Sequence, residues 1–204
     1  MLAKLGKSKL KVVYDLDDTV WGLNDVVYRR RMGLDPQIAT YYNFIDNPSL
    51  TDEQKKHIRM LYENPDVFCE CEFYPGVERI YDLEKTGCAD VWICSSCLNE
   101  QVMDVKIHRL YHEVPNINKT HLRLSCDGSH KRESGNILVD DRLQNIINED
   151  FTYNILIDKP YNQCDSFPEG KIVYRVSSLN EAVNMVEAII EKINYLPLNS
   201  QTGV

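Results

Sequence analysis

Six short runs that read as strands recur along the chain: KLKVVY (9–14), DVWICS (90–95), HLRLS (121–125), NILVD (136–140), YNILID (153–158) and KIVYRV (171–176). Short apolar runs without strict alternation suit strands covered on both faces. Helical spacing fills much of the chain between them. Residues 98–112 form one such stretch, and Pro75-Gly76 opens a shorter one (Val77, Ile80, Tyr81) that Gly87 closes. Ser178-x-x-Glu181 has the form of a capping box. It opens a last helix with Leu179, Ala182, Val183, Val186, Ile189, Ile190 and Ile193 on one broad face. Strands alternating with helices predict an α/β, Rossmann-like core: a mainly parallel sheet with helices on both faces. The polar tail after Pro197 is expected to fray.

One stretch breaks the alternation. Residues 22–63 contain Val26, Val27 and Arg30 at helical spacing, the aromatics Tyr41, Tyr42 and Phe44, and a capping-box signature at Thr51-x-x-Gln54 before Ile58, Leu61 and Tyr62. Asn64-Pro65 stops that helix. An insertion this long is far beyond the usual connection of about 4 to 6 residues. The expected organisation is a core of residues 1–21 and 64–204 with a small helical cap, 22–63, inserted after the first strand. A length of 204 residues fits one such core plus an insertion.

The formal charge of −8 argues against broad binding to nucleic-acid backbones. No run approaches the roughly 18 to 20 apolar residues of a membrane span, and MLAKLGKSKL at the start has no apolar h-region. Seven cysteines, an odd number without framework spacing, read as reduced thiols, and the expected location is cytoplasmic. Cys94-x-x-Cys97 followed by His108 and His112 imitates a zinc site. Ten residues separate Cys97 from His108, where a finger takes about twelve, and Cys94 lies inside an apolar strand. A zinc site is therefore not expected here, and Cys69-x-Cys71, without further ligands nearby, reads as packing.

Two strand ends carry paired acids, Asp15-x-Asp17 after KVVY and Asp140-Asp141 after ILV. In a parallel sheet both pairs share the carboxyl edge, where ligands bind. Crowded carboxylates are costly unless a cation neutralises them, and hard oxygen donors favour magnesium. Solvated turn acids or helix caps are the plainer reading of either pair alone. With both pairs stand a polar strand end at Ser95 and a lysine at 131.

This ordered set resembles the haloacid dehalogenase superfamily of phosphotransferases. Asp15-Leu16-Asp17-Asp18-Thr19 matches its D-x-D-x-T motif, Trp92-Ile93-Cys94-Ser95 the strand ending in Ser or Thr, Lys131 the third motif and Asp140-Asp141 the acidic fourth. A closer likeness runs through NPDVF (64–68), YPGV (74–77), ICSS (93–96), ILVDDR (137–142) and ILIDKPYN (155–162). It covers about residues 11–165 and is similar to the 5′(3′)-deoxyribonucleotidase family, which dephosphorylates nucleoside monophosphates. Asp18-Thr19 stands where eukaryotic members have Gly-Val, and Cys97 where they have Pro. The insertion does not match residue by residue.

The resemblance implies a magnesium-dependent phosphatase for a small phosphate monoester, most simply a nucleoside monophosphate. Asp15 would be the nucleophile and Asp17 the general acid and base. Ser95, Ser96 and Lys131 would bind the phosphoryl group. Magnesium would be held by Asp15, Asp17 through its backbone oxygen, and Asp140, with Asp141 as the alternative. His130, beside Lys131, reads as a surface histidine and Asp18 as a loop hydrogen-bonder. Trp21, Tyr41, Tyr42, Phe44, Tyr62 and Phe68 are the aromatics available to face a base, and Arg29 to Arg31 could attract the phosphate. Partners in nucleic acid or membrane are not expected, and a homodimer stays open. A phosphatase for another phosphoester such as a sugar phosphate, and a non-catalytic phosphate-binding module, are the competing readings.

Overall fold

The computed structural model describes residues 9–127, 134–148, 150–163, 167 and 169–195, with backbone alone at 148, 194 and 195. Six strands fall on the six runs: β1 (Leu10–Asp15), β2 (Ala89–Ser96), β3 (Leu122–Ser125), β4 (Gly135–Asp140), β5 (Phe151–Ile157) and β6 (Ile172–Val176). They form one sheet in the order β3-β2-β1-β4-β5-β6, and every neighbouring pair is parallel. The chain steps outward from β1 to β3, then resumes on the other side of β1 at β4. That reversal of direction places a crevice at the carboxyl ends of β1, β2 and β4.

The helices are α1 (Asp52–Glu63), α2 (Pro65–Cys69), α3 (Asp82–Lys85), α4 (Glu100–Glu113), α5 (Leu143–Asn148) and α6 (Leu179–Tyr195). Side chains alternate between sheet faces, so neighbouring residues of one strand serve different cores. Val12, Tyr14, Val91, Ile93, Ile137, Val139 and Ile155 join Val102 and Leu110 of α4 and Ala182, Val183, Val186, Ile189 and Ile190 of α6. Val13, Cys94, Leu138 and Leu156 face the other way, onto Ile146 of α5 and Phe151. Buried Val and Ile side chains contribute about 1.5 to 3 kcal/mol each, so packing holds α6 far more than its cap does. The cap itself is shared. Ser178 Oγ accepts from Glu181 N at 3.3 Å, but the Glu181 carboxylate accepts from Ser177, not Ser178. Gly76 has a φ of +106°, and a Cβ there would lie 3.0 Å from the Asn180 Cα, so the start of α6 can approach this turn only at glycine.

Residues 22–63 contain less regular helix than the spacing predicts. A π-helical turn spans Asp25–Arg31, 3₁₀ turns span Pro36–Ile38 and Phe44–Asp46, and α1 alone is a long helix. Its capping box is complete: Thr51 Oγ1 accepts from Gln54 N, and Gln54 Oε1 accepts from Thr51 N. Val26, Val27, Tyr28, Ile58 and Leu61 are buried in the same cluster as the inner face of the sheet. No helix among the described residues is long and apolar enough to cross a membrane.

Candidate active site

β1 delivers Asp15 to the crevice. The register pairs Asp15 with Cys94 of β2 and Tyr14 with Val139 of β4, so Asp15 comes opposite Asp140. Asp15, Asp140 and Asp141 each offer an oxygen within 4.8 Å of the others, the one such group of metal-binding side chains among the described residues. Cys94, Cys97, His108 and His112 form no such group.

After Asp15 the chain turns tightly, with Val20 N and Trp21 N both donating to Leu16 O. Asp18 takes a φ of +59°, in the left-handed region that Gly, Asn and Asp tolerate best. This explains how an aspartate can stand where the resembled family has glycine. Its carboxylate accepts from Asn24 N at 2.9 Å, the loop role expected of it. Thr19 Oγ1 and the Tyr161 hydroxyl donate to Asp141, while Arg142 N (2.7 Å) and Asn145 Nδ2 (2.8 Å) donate to Asp140. Both fourth-motif acids are therefore held rigidly.

Burial pushes the Asp18 carboxyl up to about 7, against the opposing pull of Lys159 and with the charge of Asp141 adding to the rise. Asp141 is raised as well, again chiefly by burial, and the Tyr161 hydrogen bond and Lys159 offset part of it. An oxygen-only cluster of acids, with Asp140 and Asp141 buried and Asp141 resisting ionisation, fits a hard divalent cation, which would restore charge balance. Asp15, Asp140 and Asp141 are the side chains placed to hold it.

Asp17 is turned elsewhere. Its Oδ1 accepts from Trp21 Nε1 at 2.8 Å, and its Oδ2 from Lys106 Nζ at 2.5 Å and Ser95 Oγ at 3.3 Å. Its side chain stands outside the Asp15, Asp140 and Asp141 group. Ser95 is fully buried against this pair, whereas Ser96 is exposed on the cavity wall. Lys131 and His130 lie outside the described residues.

A cavity of about 440 Å³, within the usual size for small ligands, opens over these groups. Asp15, Asp17, Asp140, Asp141, Ser96 and Lys106 form its floor. All five aromatics Tyr41, Tyr42, Phe44, Tyr62 and Phe68 line it. Trp21 does not: it is wholly buried and bonded to Asp17, which corrects the expectation that it could face a base. The arginine triplet is engaged in ion pairs outside this cavity. Arg29 pairs with Asp25, Arg30 with Asp25 and Glu72, and Arg31 with Glu70; Arg29 and Arg30 line a neighbouring cavity beside Lys159 and Tyr74.

Lys106 is the residue that sequence reasoning missed. A signal existed: Val102, Lys106 and Leu110 recur at four-residue spacing, which sets a lysine inside the buried stripe of α4. Lys106 is 1% exposed, with three acceptors in Asp17, Ser95 Oγ and Ser96 O. A buried cation persists when its protons are all taken up in this way.

No protein-family model matches the sequence, and no curated protein matches it. Solved structures do match the fold. A Bacteroides fragilis protein assigned as a haloacid dehalogenase-like hydrolase superposes with a TM-score of 0.55 at 13% identity, covering 86% of this chain and 100% of that one. A haloacid dehalogenase-like family hydrolase from Xanthomonas campestris gives 0.51 at 12%, covering 93% and 99%. A Clostridium difficile protein assigned as a phosphatase gives 0.50 at 15%, covering 87% and 100%. The six-stranded parallel sheet, its order and its carboxyl-edge acids thus belong to a chain with the fold of the haloacid dehalogenase-like hydrolases.

Proposed function

We propose that this protein is a magnesium-dependent phosphatase acting on nucleoside monophosphates. The observation that carries the reading is the convergence of Asp15, Asp140 and Asp141 from two strand ends, beside an Asp17 held separately by Lys106. Phosphatase assignments among structures of the same fold support it.

Asp15 attacks phosphorus through a carboxylate oxygen, and the bond from phosphorus to the ester oxygen breaks. The leaving oxygen takes its proton from the protonated form of the Asp17 carboxyl, in which one oxygen donates to the ester while the other still accepts. Water then attacks the aspartyl-phosphate, the Asp17 carboxylate takes the water proton, and inorganic phosphate departs with Asp15 restored. Ser96 and Lys131 supply donors for the phosphoryl oxygens, and Lys106 adds positive charge while the buried Ser95, expected to bind phosphate, braces Lys106 instead. Asp15, the Asp17 carbonyl and Asp140 or Asp141 would hold the magnesium ion, which when bound neutralises phosphoryl charge. Segment 22–63 acts as the cap. Its Tyr41, Tyr42, Phe44 and Tyr62, with Phe68 from α2, favour an aromatic substrate part over a bare sugar.

The test is a panel of nucleoside monophosphates, sugar phosphates and an aryl phosphate, assayed with magnesium and with chelator, for the wild type and Asp15→Asn. Turnover only with metal, lost in a folded Asp15→Asn protein and highest on nucleotides, is the expected result. Preference for sugar phosphates would replace the substrate; steady turnover by Asp15→Asn would end the aspartyl-phosphate reading.

A further inference from the structure

Both oxygens of Asp17 are taken by side chains from different parts of the chain. Trp21 Nε1 reaches Oδ1 at 2.8 Å from within the same tight loop, and Lys106 Nζ reaches Oδ2 at 2.5 Å from α4. Neither donor is free to move. The Trp21 ring is 0% exposed, packed with its centre 5.5 Å from that of Phe73 and 6.4 Å from that of Phe68. The Arg109 guanidinium lies 5.2 Å from the ring centre and is tied to the carbonyls of Phe68 and Cys71 and to Glu113. Lys106 is equally sealed, its remaining protons on Ser95 Oγ at 2.9 Å and Ser96 O at 2.8 Å. The terminal torsion of an aspartate is ordinarily broad and soft. Here two fixed donors leave it one orientation.

We propose that Trp21 and Lys106 are positioning residues for Asp17, setting the direction of its carboxyl before a substrate enters. The proposal rests on the reading of Asp17 as the group that protonates the leaving oxygen. Its consequence depends on the ester. When the phosphorus–oxygen bond of a nucleotide breaks, the departing alkoxide needs the Asp17 proton. A nitrophenolate departs as a stable anion and does not. Hydrolysis of the aspartyl-phosphate is common to both esters, so the difference is read in kcat/KM, which covers only the steps up to phosphoryl transfer. Misaiming Asp17 lowers it for alkyl esters and spares it for nitrophenyl esters, whereas damage to the fold, to Asp15 or to phosphate binding lowers both.

Trp21→Phe removes the indole N–H and keeps an aromatic ring in the same cage. The experiment measures kcat and KM for a deoxyribonucleoside 5′-monophosphate and for p-nitrophenyl phosphate, with Phe73→Leu as a control from the same cage that has no bond to Asp17. Misplaced general-acid groups cost about ten-fold to a hundred-fold, so nucleotide kcat/KM should fall by that amount while that of p-nitrophenyl phosphate changes by less than about three-fold. Phe73→Leu should leave the ratio of the two kcat/KM values unmoved. A Trp21→Phe protein whose kcat/KM falls equally on both esters, or on neither, overturns the proposal. If Trp21→Phe fails to melt cooperatively, Lys106→Met and Lys106→Arg read the same ratio. Both substrates carry the phosphoryl group, so any contact of Lys106 with phosphate cancels. A shifted ratio in Lys106→Met that Lys106→Arg brings back supports the proposal, and an unchanged ratio overturns it. A wild-type protein inactive on both esters would instead overturn the phosphatase reading, and the proposal with it.

Discussion

Asp18 shows how much one residue can add beyond its motif. Its backbone position asks for glycine, and its carboxyl is 6% exposed beside Asp141. With a pKa raised from 3.8 to about 7, the folded protein holds this proton more tightly than the unfolded chain does. Asp18 therefore contributes stability that is full below pH 4 and is lost as pH rises through about 7. Asparagine tolerates the same φ and can still accept from Asn24 N. Asp18→Asn should then stabilise the metal-free protein at pH 7.5 by about 2 to 4 kcal/mol, with the gain fading towards pH 4. Denaturant melts of both proteins across that range, in chelator, check this; parallel profiles would refute it. Residues 15, 17, 140 and 141 were legible because each follows an apolar strand. Lys106 was not, because its partner Asp17 lies 89 positions away and only the folded sheet brings α4 against the first loop. Trp21 was misread for a related reason: its nearness to Asp17 in sequence does not say which face of the loop it takes.

At the scale of elements, the segment 22–63 was legible only where its signals are local. Thr51-x-x-Gln54 marks the start of α1 because both halves of the cap lie within one turn. Thr51→Ala should cost about 1 kcal/mol of stability, read as a shift in denaturant midpoint with no change in slope. The turn at Asp25–Arg31 buries Val26, Val27 and Tyr28 in succession, a pattern no regular amphipathic helix produces, and it folds as a π-helical turn. The aromatics of this segment are tied to the core. Tyr42 meets Tyr161 edge-on at 5.7 Å with the Arg142 guanidinium 4.0 Å from its ring centre, and the Tyr62 hydroxyl donates to Asn24 at 2.8 Å. Base stacking on one aromatic is worth about 1 to 3 kcal/mol, so removing the responsible ring should cost about five-fold to a hundred-fold in nucleotide kcat/KM. Alanine variants of Tyr41, Tyr42, Phe44, Tyr62 and Phe68, compared on a nucleotide and a base-free phosphate ester, identify that ring. If none alters the ratio, the sugar-phosphate reading takes precedence.

For the whole molecule, six parallel strands gather acids from residues 15 and 140 at one edge, and the cost of crowding them is carried by the entire fold. A ligand that binds only the folded state stabilises by mass action, about 2.7 kcal/mol at a hundred-fold excess over its Kd. Magnesium should therefore raise Tm with rising concentration, and Asp140→Asn or Asp141→Asn should show which acid the effect needs. A Tm indifferent to magnesium would remove the metal from the account. The alternation of strands and helices made this architecture legible, since local periodicity encodes it. Contacts between strand ends and the inserted segment have no periodic signature. The seat of Trp21 also has an optical consequence. The chain has two tryptophans. Trp92 stacks on His121 at 4.4 Å on the other face of the sheet, while Trp21 lies in a dry cage with its N–H on Asp17. In a Trp92→Phe protein, ultraviolet emission should come from a single dry indole whose dipole senses the neighbouring carboxylate. Its colour and intensity should change as phosphate or vanadate alters the electric field at Asp17, giving a fluorescence readout of site occupancy without an added dye.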